Sequence, residues 1–125
     1  IDVIVSDHIP EDEESKRLPF SQAATGAIGI ETLLPLALEM HHNESLPLNK
    51  IIETLTINPA KILQINKGTL AKGSDGDICV LDLDAPWVVK AEKLKSKSKN
   101  TAIEGRKLQG KILMTFLNGE LVFNQ

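Results

Sequence analysis

Directly after an apolar run, Ile1 to Val5, the chain sets an acid and an imidazole side by side in Ser6-Asp7-His8-Ile9-Pro10. In α/β proteins with parallel strands, functional groups gather at the carboxyl ends of the strands. A carboxylate at such an end can ligate a divalent metal and exchange a proton with water. It can equally shape a turn. Asp7 carries both readings. His8 can donate to a substrate, hold a ligand or orient a partner group, or it can simply be hydrogen-bonded within a loop. Further on, Gly26 and Gly29 allow the backbone to approach a ligand closely, or they punctuate the entry to a helix.

The remaining reactive side chains point to less. Adjacent residues of a helix lie roughly 100° apart, so His41 and His42 cannot chelate one ion together. His41 continues an apolar face and reads as a packed histidine. Lys95, Lys97 and Lys99 alternate with serines; with no aromatic residues between them they read as a solvated loop rather than a nucleic-acid surface. Cys79, the single cysteine, sits in an apolar run and reads as a buried, reduced thiol. No G-x-S-x-G, phosphate-binding loop or C-x-x-C occurs. One aspartate and one histidine do not complete a metal site, which needs about three protein ligands or more. If Asp7 ligates a metal, its fellow ligands lie outside this chain.

The elements that must position these residues read as follows. Val3-Ile4-Val5 is continuously apolar, which predicts a strand over 1–5 covered on both faces, as in a parallel α/β sheet. A long loop over 8–25 includes the charge run Glu11 to Arg17, read as a solvated loop or short helix. Ile30, Leu33, Leu34, Ala37, Leu38 and His41 recur at helical spacing, with Thr32 as the N-cap and Pro35 in the first turn. A second helix follows Ser45 with Leu48, Ile51, Ile52 and Leu55 on one face. A third starts at Asn58-Pro59, an N-cap followed by a first-turn proline. From Asn66 the chain turns glycine-rich and then β-like. Strands are expected at Ile78 to Leu81, Trp87 to Val89, Gly110 to Phe116 and Glu120 to Phe123, with Asn118-Gly119 as a two-residue hairpin turn. The basic, polar stretch 90–105 reads as an excursion between strands.

The chain has 125 residues, 42% hydrophobic and 25% charged, with a formal net charge of −3. That is the composition of a soluble globular protein, with no basic patch to favour nucleic acid. A single cysteine excludes an internal disulfide framework, which suits the cytoplasm. No apolar run reaches the ~18 residues of a membrane span. The chain opens on an apolar strand with no polar lead-in, so it is expected to be the C-terminal part of something larger.

Four stretches together resemble the C-terminal portion of dihydroorotase, in the amidohydrolase superfamily of metal-dependent barrel hydrolases. They are "SDHIP" (6–10); "LPF" with "GAIGIET" (18–20, 26–32); "TINPAKIL" with "GTLAKGSDGDICVLD" (56–63, 68–82); and "SKSKNTAIEG…LQGKILMTFLNGELVF" (96–123). The D-H-x-P and N-P-A motifs are common to many cyclic amidohydrolases, whereas the K-S-K-N-T stretch is more particular to dihydroorotase. The resemblance implies an α/β fold: the last strand and following helices of a TIM-type (β/α)8 barrel over 1–65, and a small β-sandwich domain over 66–125.

The resemblance also implies a chemistry, the interconversion of dihydroorotate and N-carbamoyl-aspartate in pyrimidine biosynthesis. Asp7 would be both a ligand to one or two Zn2+ ions and the general base. His8, Thr25 and Gly26 would contact substrate. Relatives usually carry D-x-x-P-H, whose final histidine grips the substrate carboxylate; Glu11 stands in that place here, so it must turn away, or another group must grip, or the substrate differs. Ala102-Ile103 replaces a common Pro-Phe. Alternatives are an allantoinase- or hydantoinase-like hydrolase, and a non-catalytic dihydroorotase-like partner of aspartate transcarbamoylase. A homodimer or a complex with that enzyme is the expected assembly, with no nucleic-acid or membrane partner. The other metal ligands of the family do not occur in this chain, so alone it is expected to be inactive.

Overall fold

The computed structural model describes all residues, 1–125. Four helices come first: α1 (Glu13–Arg17), α2 (Leu33–His42), α3 (Leu48–Leu55) and α4 (Ile57–Ile62). A three-stranded antiparallel sheet follows, β1 (Ile78–Val88), β2 (Lys107–Leu117) and β3 (Glu120–Asn124), in the order β1-β2-β3.

The apolar run at 1–5 is not a strand in this structure. Its only ladder-like feature comes just beyond it, an isolated parallel bridge between His8 and Ala27. A strand needs a partner for its N–H and C=O groups, and here helices supply part of what a neighbouring strand would. The Ile4 N–H donates to the Thr54 carbonyl at 3.1 Å, and the Asn58 amide donates to the Asp2 carbonyl at 2.8 Å. The start of α4 differs from the expected one. The N-cap position of α4 is Thr56, not Asn58, since the helix's first backbone bond runs from the Ala60 N–H to the Thr56 carbonyl, and the Asn58 side chain is engaged across the chain.

Helix α1 forms in the charge run because Asp12 caps it, accepting the Ser15 N–H at 2.8 Å. In α2, Thr32 is the N-cap residue and Pro35 lies in the first turn, as the spacing predicts. The buried members of this helix are Pro35, Ala37 and Leu38. Ile30 lies outside it and is 64% exposed. Helix α3 buries Ile51 and Thr54, with the Thr54 hydroxyl donating to the Ile51 carbonyl.

The strands predicted at 78–81 and 87–89 are one strand, β1, interrupted by irregularities at Val80/Leu81 and between Asp82 and Pro86. The second has a visible cause. Asp82 turns its carboxylate onto the N–H groups of Asp84 and Ala85, which pulls the extra residues out of register. Between β2 and β3, Asn118 and Gly119 both carry positive φ, 51° and 82°, the signature of a type I′ turn. Cys79 is exposed rather than buried. It lies in the opening stretch of β1, where residues 78–80 are all exposed.

Helix α2 lies across β2, and Gly110 makes the close packing possible. A β-carbon on Gly110 would stand 2.5 Å from Leu38 Cδ1, and its φ is +105°. The Gly110 carbonyl accepts the Trp87 indole N–H at 3.1 Å. The core proper joins Ile28 to Val89, Leu94 and Leu108. Packing therefore ties the glycine stretch after Asp7 to the segment that leads from β1 to β2.

Candidate functional site

Asp7 follows the apolar run and adopts φ +43°, a left-handed conformation uncommon outside glycine. Its side chain is exposed. It opens onto a cleft of about 560 Å³ that Gly26, Ile28 and Gly29 also line, floored by apolar residues of α2 such as Leu36 and Met40. Asp7 and Gly26 thus line one cleft.

His8 and Thr25 do not line that cleft. The His8 ring engages the glycine stretch instead: its Nδ1 accepts the Gly29 N–H at 3.1 Å and the Ile30 N–H at 3.3 Å. Nδ1 must then be unprotonated, which leaves the proton on Nε2, so the free edge of this imidazole is a donor. Thr25 is exposed, beside the cleft residue Gly26. Glu11 does not line the cleft either.

Gly26 owes its position to close contact. Its φ is +113°, and a β-carbon there would fall 2.6 Å from the Ile9 side chain. Three links hold this loop. The Ile9 N–H donates to the Ala27 carbonyl at 3.0 Å. Lys16, from the charge run, sends its ammonium to the carbonyls of Ala24 and Gly26 at 2.7 and 3.0 Å. Asn100 bridges the Ile9–Glu11 stretch to Gly26.

Those last two residues were not legible as site residues. Lys16 read as one charge among several, and Asn100 lay in the supposed solvated excursion. That excursion is pinned instead. The Glu31 carboxylate accepts the Lys95 and Ser96 N–H groups, and the Lys99 ammonium donates to the carbonyls of Leu94 and Ser96, each at 2.7 Å. The only signal that could have singled out this stretch was its K-S-K-N-T pattern.

No group of three or more His, Cys, Asp or Glu side chains converges to hold a metal. Asp7 suits one coordination position, as an exposed oxygen donor, and nothing else here completes the set. The His41 and His42 rings lie 5.7 Å apart between centroids, tilted 43° to each other, and His42 Nε2 is buried without a partner.

A sequence profile described as the amidohydrolase family matches residues 1–122. The chain belongs to the amidohydrolase family. A dihydroorotase from Ehrlichia chaffeensis is 43% identical over 98% of this chain, which spans 28% of that relative's length. An L-hydantoinase (dihydropyrimidinase) from Arthrobacter aurescens superposes with a TM-score of 0.76 at 34% identity, covering 83% of this chain and 24% of the other. A dihydropyrimidinase from Brevibacillus agri superposes with a TM-score of 0.93 at 24% identity, over 99% of this chain and 28% of the other, and shows the fold alone. This amidohydrolase chain thus shares its arrangement of helices and sheet with part of much larger proteins. None of its own helices is long and apolar enough to cross a membrane.

Proposed function

We propose that this chain is the C-terminal part of a dihydroorotase, contributing the rim of the active site and one leaf of a small β domain. In this reading residues 1–5 belong to the last strand of a TIM-type barrel, and Asp7 lies at its carboxyl end. The rest of the protein supplies the neighbouring strands. The observation that carries it is the exposed Asp7 carboxylate sharing a cleft with Gly26, in a chain similar along nearly its whole length to dihydroorotases.

Asp7 accepts the proton of the attacking water and hands it to the leaving amide nitrogen as the ring opens; in the reverse direction it removes that proton as carbamoyl aspartate closes. The N–H of the Thr25–Gly26 peptide holds the ring's polar edge, since the Gly26 carbonyl is already taken by Lys16 and Asn100. The His8 Nδ1 supports the same loop, and its free Nε2–H is a donor for the substrate rather than a metal ligand. Asp7 is also the residue of this chain that would hold a zinc ion, with the other ligands supplied by the rest of the protein. Such an ion, when bound, polarises the carbonyl and lowers the pKa of water.

A second reading, a hydantoinase- or allantoinase-like hydrolase, is favoured by Glu11, which stands where a carboxylate-gripping histidine is usual. Turnover of dihydroorotate, hydantoin and allantoin by the full-length protein separates the two. The first reading expects kcat/KM for dihydroorotate to exceed the others at least tenfold. A preference for hydantoin or allantoin overturns it. Cytoplasmic pyrimidine synthesis and a homodimer or aspartate transcarbamoylase complex belong to the same proposal.

A further inference from the structure

The K-S-K-N-T stretch has no part in the chemistry just described, yet one of its side chains reaches the site from far along the chain. Asn100 Oδ1 accepts the Glu11 N–H at 3.3 Å. Its Nδ2 donates to the Ile9 carbonyl at 3.2 Å and the Gly26 carbonyl at 3.4 Å. Its own carbonyl accepts the Ile28 N–H at 3.2 Å. One residue thus engages both segments that flank Asp7, the stretch after it and the glycine stretch opposite.

The two segments pair directly at one point only, the His8–Ala27 bridge with its Ile9 N–H to Ala27 O bond. Beyond that point the Gly26 and Ile9 carbonyls and the Glu11 N–H have no ladder to join. A side-chain amide is a peptide group in miniature, with one acceptor and two donors. It extends the pairing past the point where the backbone stops. No other small side chain does this. Aspartate has the shape but would turn an oxygen toward two carbonyls, and alanine or serine lacks the reach or the paired functions.

We infer that Asn100 is a positioning residue: it sets the register of the Ile9–Glu11 and Gly26–Ile28 segments and thereby the distance between the Asp7 base and the substrate-facing backbone. The inference rests on the proposed roles of Asp7 and Gly26. It also gives the K-S-K-N-T pattern a physical purpose. Lys99, through Leu94 and Ser96, and Glu31, through Lys95 and Ser96, shape the loop that delivers Asn100.

The test compares wild type, Asn100→Asp and Asn100→Ala in the full-length protein. Steady-state kinetics with dihydroorotate are paired with amide hydrogen exchange at Glu11, and thermal unfolding serves as the control for folding. Misplacement of a reacting group by about 1 Å costs on the order of 100-fold, so kcat should fall at least tenfold in Asn100→Asp. KM should change less than threefold, and exchange at Glu11 should accelerate while the unfolding midpoint holds. A kcat within twofold of wild type in a folded variant overturns the inference, as does unchanged protection at Glu11. Where wild type prefers hydantoin, the substrate reading fails and the same kcat comparison on hydantoin decides the role of Asn100. Where wild type turns over no cyclic amide, the functional reading falls and takes the positioning role with it.

Discussion

At the scale of single residues, the decisive group is Asp7. Its exposed carboxylate carries two proposed duties, base and metal ligand, so Asp7→Asn in the full-length protein should lower kcat by at least about 100-fold. The check is turnover at matched metal content; near-normal turnover with metal retained removes the role. Glu11 tests the substrate instead. It stands apart from the cleft, and Glu11→His should lower KM for dihydroorotate if the pocket grips a carboxylate in the usual way. An unchanged or higher KM would assign that grip to another group. His8 shows how far residue type alone can be read. A histidine next to an aspartate left two readings open, a ligand- or substrate-contacting imidazole and a histidine hydrogen-bonded within its loop. In the structure its ring is committed to the Gly29 and Ile30 amides, a use that depends on backbone more than twenty positions away.

Elements are held by contacts that the local pattern does not display. Gly110 combines positive φ with the approach of Leu38, so Gly110→Ala should cost about 1–3 kcal/mol from overpacking and strain. Pairing it with Leu38→Ala should give less than the sum of the two losses, because the clash goes with the side chain; urea unfolding measures both. The turn before β1 is held by charge. Lys67 lies between Asp75 and Asp77, at 2.7 and 2.6 Å, and Asp77 also accepts the Asn118 N–H at 2.9 Å, tying this turn to the β2–β3 hairpin. Hydrogen bonds from Lys67 and then from the Asn118 N–H hold the Asp77 carboxyl below its usual 3.8. The hydrogen bonds to Asp75 and then Asp77 raise the Lys67 ammonium above 10.5. A depressed acid stabilises the fold above its unfolded pKa and loses this as pH falls through the folded value; a raised base does so below its unfolded pKa and loses it as pH rises. The stability gap between wild type and Asp77→Asn should therefore be flat between pH 3.8 and 10.5 and close below the lower limit. Denaturant midpoints across pH check it, and a gap that persists under strong acid contradicts it.

For the molecule as a whole, surface area is the informative quantity. The chain exposes 8754 Å² and buries 12 of its residues, whereas a compact monomer of its mass would expose only ~6600 Å². Large apolar side chains stand open: Ile1, Val5, Phe20 and Leu70 are each at least 70% exposed. So much exposed surface for its mass is in accord with a chain that spans 28% of its dihydroorotase relative. Produced alone, it should bind a hydrophobic dye such as ANS and unfold over a broad temperature range. A sharp transition without dye binding would show that it needs no covering partner.

By itself the sequence determined the local grammar: the helix of α2 with its Thr32 cap and Pro35, the Asn118-Gly119 turn, and the order of helices first and strands after. These follow from period, capping and turn preferences, which act over a few residues. Only the tertiary structure decided that 1–5 is held by α3 and α4 rather than by a ladder, that Cys79 is exposed, and that Asn100 and Lys16 secure the loop around Gly26. Each of these is a hydrogen bond or a packing contact between residues that are not neighbours in the chain. Such partners are chosen by how the whole chain closes on itself, and no local pattern records that choice.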